Sequence, residues 1–487
     1  MSSLKTKTIS GLTWSFIDNI AQKGLTFIIG IILARLLLPE EFGIIGMITI
    51  FIAVSTSFIN SGFGSALIRK QKCTDTDYST VFYFNLATGI FFYILLFFLA
   101  PVISHFFNEP QLKLLIKVLG IVLIIDAFTI IQRTILTKQV NFKLQTKISV
   151  IASLISGIIG IIMAFKGFGV WSLVAKQISQ RLTNSILLWT WNKWKPLLIF
   201  SRNSFRQLFS FGYKLLISGL IDTIYRNVYL IVIGKYFSAQ ELGFYTRANQ
   251  FKSLPSQNIS QIIERVSYPV LANMQDNPEK LRLNYKRLIK TSMLITFTLM
   301  LGMAAAAEPM VIALIGEKWR PSIGYLQLLC FAGMMYPLHS LNLNMLQIQG
   351  RSDLFLKLEV YKKILAVPII IIGIFYGVKI MILGMIVNSF FAYYLNSYWS
   401  GKFLNYSTKE QILDILPAFA IALINALAIY LIGILLPMNF TLVFISQILF
   451  GGIFIIFLCE IFKLNEYKEI KDLVRSYLLK FYNGRKK

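Results

Sequence analysis

Apolar residues run in long blocks along this chain, and short polar stretches part them. Runs of about 20 apolar residues, enough to cross roughly 30 Å of hydrocarbon as helix, fall near 12–33, 42–61, 79–100, 112–131, 148–165, 171–191, 211–233, 244–264, 291–315, 322–346, 358–376, 379–400, 413–436 and 440–462. The pattern predicts an all-α polytopic membrane protein of about fourteen transmembrane helices, since helices satisfy their own backbone groups in lipid. The fifth and sixth runs, and the eleventh and twelfth, are parted only by KGFGV (166–170) and YGVK (376–379), which predicts tight hairpins. No soluble domain fits between the runs. The longest loop spans 264–290, and its end, EKLRLNYKRLIK, predicts a short amphipathic helix on the membrane surface.

The chain also repeats itself once. A basic, aromatic connector (192–214) ends one set of runs, and a second set follows. The string GKYFSAQELGFYTR (234–247) lies 200 positions after ARLLLPEEFGIIGM (34–47). In each, an apolar helix is followed by Arg35 or Lys235, then Glu41-Phe42-Gly43 or Glu241-Leu242-Gly243, then a new helix. Outside this junction the identity is near chance. The reading is two pseudo-repeated six-helix bundles, 1–200 and 201–412, then two additional transmembrane helices over 413–462 and a basic tail, 463–487. An even number of spans per copy makes the repeats parallel.

Composition agrees: hydrophobic residues make up 56% and charged ones 14%, with a mean hydropathy of +0.66, so most of the chain sits in lipid. A net charge of +26 would point to nucleic acid in a soluble protein. Here the basic residues fall in short loops, where they act as topology signals and leave nucleic acid out as a partner. With span-end residues counted in the adjoining loop, one set of alternate loops and both termini hold 34 Lys and Arg, against about six in the opposite loops. Both termini are therefore expected in the cytoplasm. The first run contains Asp18 and Lys23, so it reads as a retained span, with no cleavable signal peptide. Cys73, Cys330 and Cys459 lie too far apart for a disulfide framework or a zinc pattern.

Little here resembles catalysis. Asp75-Thr76-Asp77 has the spacing of a metal-binding acidic pair, but no nucleotide-binding domain surrounds it, and acids at a helix start favour its dipole. His105 and His339 have no companion at ligand spacing and read as local hydrogen-bonding residues. All outward loops are short, which argues against a membrane enzyme; no catalytic residue, metal or cofactor is expected. Trp189, Trp191 and Trp194 read as an interfacial belt, and Pro255, Pro309, Pro337 and Pro368 as kinks. Ionisable residues within spans are costly and mark function or pairing. They are Asp18 and Lys23, Lys117 and Asp126, Lys176 and Arg181, Asp222 and Arg226, and Arg247 and Lys252. Lys117 and Lys176 lie near a span boundary and can snorkel. Asp222 and Arg226 are four apart and share a helix face. The surplus is positive and falls on repeat-equivalent spans, which suits an anionic cargo, because Lys and Arg bind phosphate by charge-assisted hydrogen bonds. Lys23, Arg181, Arg226, Arg247 and Lys252 are the candidate substrate-binding cations; Asp18, Asp126 and Asp222 would hold them in place or carry a coupling ion.

Six strings, spread over 33–363, bring a family into view: LARLLLPEEFGIIGM, SGFGSALIRK, STVFYFNLATG, LGFYTRANQ, LPSQNISQIIERVSYPVLANMQDNPEKLRLNYKR and LQIQGRSDLFLKLEVYKK. In order and spacing they resemble the polysaccharide-transport flippases, of lipopolysaccharide O-antigen or colanic-acid type, of the multidrug/oligosaccharidyl-lipid/polysaccharide exporter superfamily. The resemblance implies two bundles forming a V around a central cavity, in the bacterial inner membrane. It implies alternating access that moves an undecaprenyl-diphosphate-linked oligosaccharide from the cytoplasmic to the periplasmic leaflet, for lipopolysaccharide or exopolysaccharide synthesis. Membrane lipids, a polysaccharide polymerase and a chain-length regulator are the partners it implies. A cation-coupled drug exporter on the same scaffold and a membrane enzyme of polysaccharide assembly stay open as alternatives. The basic intramembrane surplus argues against the exporter, whose cationic cargo calls for buried acids.

Overall fold

A computed structural model describes residues 14, 21–60, 62–472 and 475 of the 487. Among these residues there is no strand, as a chain in lipid requires when it closes no barrel. Nine helical stretches among them are long and apolar enough to cross a membrane. The chain divides into two compact units, Met1–Gly243 and Phe244–Lys487.

The first unit contains α1 (21–36), α2 (Pro39–Asn60), α3 (Phe63–Arg69), α4 (Asp75–Phe107), α5 (Leu112–Leu119), α6 (Ile121–Lys138), α7 (Phe142–Phe165), α8 (Val170–Trp191) and α9 (Arg202–Tyr236). The run expected as one span near 112–131 is one candidate span, Leu112–Lys138, in which α5 and α6 meet at Gly120, where a Cβ would lie 2.9 Å from the Ile116 carbonyl and 3.1 Å from the Tyr93 ring. The hairpin between α7 and α8 is as tight as expected; Gly167 and Gly169 take φ of 78° and 54°, which glycine alone adopts freely. Asp77 closes a capping box: Thr74 N–H donates to its Oδ2 (2.9 Å), and its own N–H donates to Thr74 Oγ1 (3.3 Å). Lys70 Nζ donates to Asp77 Oδ1 at 2.8 Å. The acidic pair thus starts a helix, as the sequence reading holds.

The connector between the two sets of spans is fastened to the start of α4. Leu197 N–H donates to Ser79 Oγ (2.9 Å), Ser201 N–H to Thr80 Oγ1 (3.0 Å), and Trp194 Nε1 to Asp75 Oδ1 (3.2 Å). Two of the tryptophans read as an interfacial belt have fixed partners. Trp189 and Trp194 pack edge-on against Phe82, at 5.8 and 6.1 Å, and Trp189 Nε1 donates to the Phe128 carbonyl. Their indole N–H groups found fixed acceptors, so the rings turned inward; Trp191 stays exposed.

The repeat junctions meet each other. A Cβ on Gly43 would strike the Ala239 carbonyl, and a Cβ on Gly243 would strike the Pro39 carbonyl. Each glycine therefore lies on the opening residue of the other copy's helix, α2 or α10 (Ala239–Ala272), and all four residues belong to the first unit. The 200-residue step read in the sequence is a reciprocal contact in space.

The second unit holds the rest of α10, then α11 (Pro278–Ala305), α12 (Ala307–Ile315), a 3-10 turn (Glu317–Trp319), α13 (Ser322–Gly333), α14 (Tyr336–Ile348), α15 (Ser352–Tyr376), α16 (Val378–Leu404), α17 (Thr408–Leu435), α18 (Phe440–Ile461) and α19 (465–472). The run near 322–346 is broken between α13 and α14, where Pro337 begins the new helix. Pro255 and Pro269 lie inside α10 without ending it. EKLRLNYKRLIK is no separate surface helix; it is the first half of α11, continuous with the apolar half. Its cations are engaged by later acids. Arg282 Nη2 lies 3.0 Å from Glu410 Oε1, Lys286 pairs with Glu410 and with Asp414 (3.7 Å), Lys290 lies 2.7 Å from Glu466, and Arg287 lies 3.4 Å from Glu469. Between them Tyr285, fully buried, meets the Tyr406 ring at 6.1 Å.

Candidate functional site

Four of the charges that the sequence reading puts within spans of the first unit form two pairs. Asp126 is buried on α6, and Arg181 Nη1, from α8, lies 3.4 Å from its Oδ1. Arg181 is half-exposed, so one face of the guanidinium is held and the other is open. Asp222 and Arg226 use their one-turn spacing on α9: Nε to Oδ2 is 2.8 Å, and both side chains are well exposed. Such an exposed pair contributes little to stability and halves the free charge that Arg226 offers. Lys23 lies half-buried on α1. Asp18 lies outside the described residues.

The second unit treats its cations differently. Arg247, on α10, is 6% exposed. Its Nη1 donates to Gln250 Oε1 at 2.6 Å, and its guanidinium lies 5.7 Å from the centre of the Trp319 ring. Burying a cation is expensive, and the planar guanidinium is the cation best suited to it, since it stacks and hydrogen-bonds at once. Lys252, one and a half turns on, lays its stem over Gly333: a Cβ there would come within 2.7 Å of Lys252 Cδ. Gly333 thereby makes room for a lysine to run along apolar surface.

The sequence reading missed one ionisable group. Lys362, on α15, is buried and ion-paired with Glu359 one turn before it. Because the apolar run begins near 358, both residues read as the edge of a loop; their i, i+3 spacing was the available signal. His339, read as a local hydrogen-bonding residue, is one: its Nε2 lies 3.0 Å from Ser389 Oγ and its Nδ1 3.5 Å from Asn396 Nδ2.

A family model described as "Polysaccharide biosynthesis protein" matches residues 32–324, more than half of the chain. The chain belongs to that family. As a member, it is 28% identical to the teichuronic acid biosynthesis protein TuaB of Bacillus subtilis, over 73% of this chain and 74% of TuaB. It is 27% identical to the lipopolysaccharide biosynthesis protein WzxC of Escherichia coli over 89% of each chain, and 25% identical to the succinoglycan biosynthesis transport protein ExoT of Rhizobium meliloti over 67% of each. Among solved structures it shares its fold with the lipid II flippase MurJ in an inward closed conformation (TM-score 0.75, 17% identity, 95% of this chain and 99% of MurJ). An inward-facing multidrug-resistance MATE transporter also superimposes (TM-score 0.63, 16% identity, 81% of this chain and 98% of the other). This family member is a multi-pass membrane protein with a MurJ/MATE-like fold. Asp126, Arg181, Asp222, Arg226, Arg247 and Lys252 lie within the matched region, and Lys23 and Lys362 lie outside it.

Proposed function

We propose that this protein is a flippase that carries an undecaprenyl-diphosphate-linked oligosaccharide from the cytoplasmic to the periplasmic leaflet of a bacterial inner membrane. It works by alternating access and feeds lipopolysaccharide or exopolysaccharide assembly, where a polymerase and a chain-length regulator take up the product. The observation that carries the reading is Arg247, a guanidinium buried within a helix of a polysaccharide-biosynthesis family member. A membrane helix keeps such a group for a polar ligand or a partner, and a diphosphate is the anion its fork of donors fits. The scaffold we envisage has fourteen spans in two six-helix bundles, 1–200 and 201–412, with two further helices over 413–462 and both termini in the cytoplasm.

In this reading Arg247 and Lys252 grip the diphosphate, while Arg181, Arg226 and Lys23 supply weaker, partly neutralised attraction. Asp126 and Asp222 orient two of those cations, and Asp18 belongs to the same set. The cargo crosses without any covalent step. Transfer of a fluorescent undecaprenyl-diphosphate oligosaccharide across proteoliposomes tests the reading. Wild type transfers it; Arg247→Ala lowers the rate at least about tenfold, the loss of one charge-assisted contact. Arg226→Ala, with Asp222 already balancing the charge, lowers it about two- to threefold. Equal rates in all three retain the flippase and remove the site. No transfer by wild type, under an imposed ion gradient and potential, returns the drug exporter.

A further inference from the structure

The second unit contains a seam of uncharged polar side chains with its own logic, most of it beyond residue 324, where the family match ends. On α16, Ser389, Tyr393, Asn396 and Ser400 follow at four, three and four residues, so they line one face of the helix. Asn396, Ser400 and Tyr285 are wholly buried and Tyr393 is 4% exposed. The stripe starts near the middle of α16 at His339, which Ser389 and Asn396 flank at 3.0 and 3.5 Å. Lys362, held by Glu359, is the charged group on the neighbouring helix α15 that faces this imidazole. One turn along, Ser400 Oγ donates to Asn342 Oδ1, and Tyr285 lies beside Ser400. The seam ends at the basic end of the unit, where Tyr406 OH donates to Asp414 Oδ2 at 2.7 Å and Lys286 lies 3.7 Å from the same carboxylate.

The seam carries unmet hydrogen-bonding capacity along its length. Asn396 Oδ1, Tyr393 OH, Tyr285 OH and Gln411 Oε1 are buried and have no hydrogen-bond partner among the described residues. They come from three different helices, α16, α11 and α17, that pack together. An isolated polar atom left so is a local defect; four on one connected seam call for a common ligand, since buried polar groups are almost always satisfied. The ligand must donate and accept in alternation, be small enough to sit between packed helices, and carry no charge that the neutral amides and phenols would have to balance. Water meets all three conditions, and a buried water typically bonds about three such groups.

We infer that this seam is a water path, a file of bound water that joins the basic end of the second unit to His339. It gives solvent a way to His339 and the Glu359–Lys362 pair. The inference is independent of the cargo, and its test uses none. Full-length protein in lipid nanodiscs is exposed to millisecond X-ray radiolysis in ¹⁸O-water, and hydroxyl-radical labelling of tyrosines is read by mass spectrometry. Tyr285 and Tyr393 take up ¹⁸O about tenfold faster than Tyr245, which is as deeply buried in the same unit but off the seam. Asn396→Leu lowers labelling of Tyr393 about fivefold and leaves exposed Tyr376 unchanged. Labelling of Tyr285 and Tyr393 at the Tyr245 rate in wild type overturns the proposal outright, with no variant needed. Labelling that persists in a folded Asn396→Leu protein overturns it too, because the water then comes from elsewhere.

Discussion

Gly43 and Gly243 occupy the same place in the two copies of the repeat, each pressed on the first residue of the other copy's helix. Four residues further on, the copies part. Position 47 is a methionine and position 247 an arginine, and both are nearly sealed from solvent, at 1% and 6% exposed. Position 52 is an isoleucine and position 252 a lysine, both half-buried. The glycines agree because backbone lies against backbone there and any Cβ collides. Beyond them the same helix position accepts a thioether in one copy and demands a solution for a guanidinium in the other. The same helix position thus folds around a thioether in one copy, and the proposal gives the cations of α10 to the ligand rather than to folding.

That contrast can be broken from either side. The largest effect is expected from Met47→Arg, which buries a cation where no Gln250 or Trp319 stands ready. A cost of about 3–5 kcal/mol follows, and fluorescence-detected size exclusion should show little folded protein. Gly43→Val drives a side chain into the Ala239 carbonyl. It is expected to cost about 3 kcal/mol or more, as severe overpacking does, read as a lower thermal midpoint; Gly243→Val, against Pro39, should match it. Arg247→Met makes the second copy like the first. Stability should hold or rise by about 1 kcal/mol, because a buried cation is replaced by an apolar group of similar length, while lipid-linked cargo transfer falls. A parallel loss of both would tie Arg247 to folding and dissolve the contrast. Asp222→Asn is the smallest change: both partners are exposed, and the midpoint should move by less than about 0.5 kcal/mol equivalent.

How much of this was legible beforehand depends on whether the cause was local. The Asp222–Arg226 pair was read correctly from its spacing, because one helical turn fixes the geometry. The repeat junction was visible as a string, and the collision that explains its glycines was not, since it joins residues 200 apart. The Asp126–Arg181 bridge is a tertiary event between α6 and α8 with no periodic mark. The boundary between α13 and α14 at Met334–Met335 escaped because an apolar run records residence in lipid and says nothing about where one helix gives way to the next. Lys362 escaped for the opposite reason: it stands where the run begins, and a boundary residue is easily given to the loop. For the tryptophans, composition suggests an interface but is silent on partners: the carbonyl of Phe128 and the carboxylate of Asp75 decide which way two of the indoles turn.

The ion lattice at the start of α11 has a bearing on how the chain is made. Lys286 precedes Glu410 by 124 residues, and Lys290 and Arg287 precede Glu466 and Glu469 by still more. During synthesis these cations leave the ribosome long before any of their acids. A growing chain therefore shows the insertion machinery an unshielded cluster of positive charge at 280–290, which is when such a cluster can hold its side of the membrane. The acids that later cancel it arrive with α17 and α19, after the decision has been taken. On the orientation expected from the sequence, one set of residues would serve first as an address for the nascent polypeptide and afterwards as the clasp that closes the finished one.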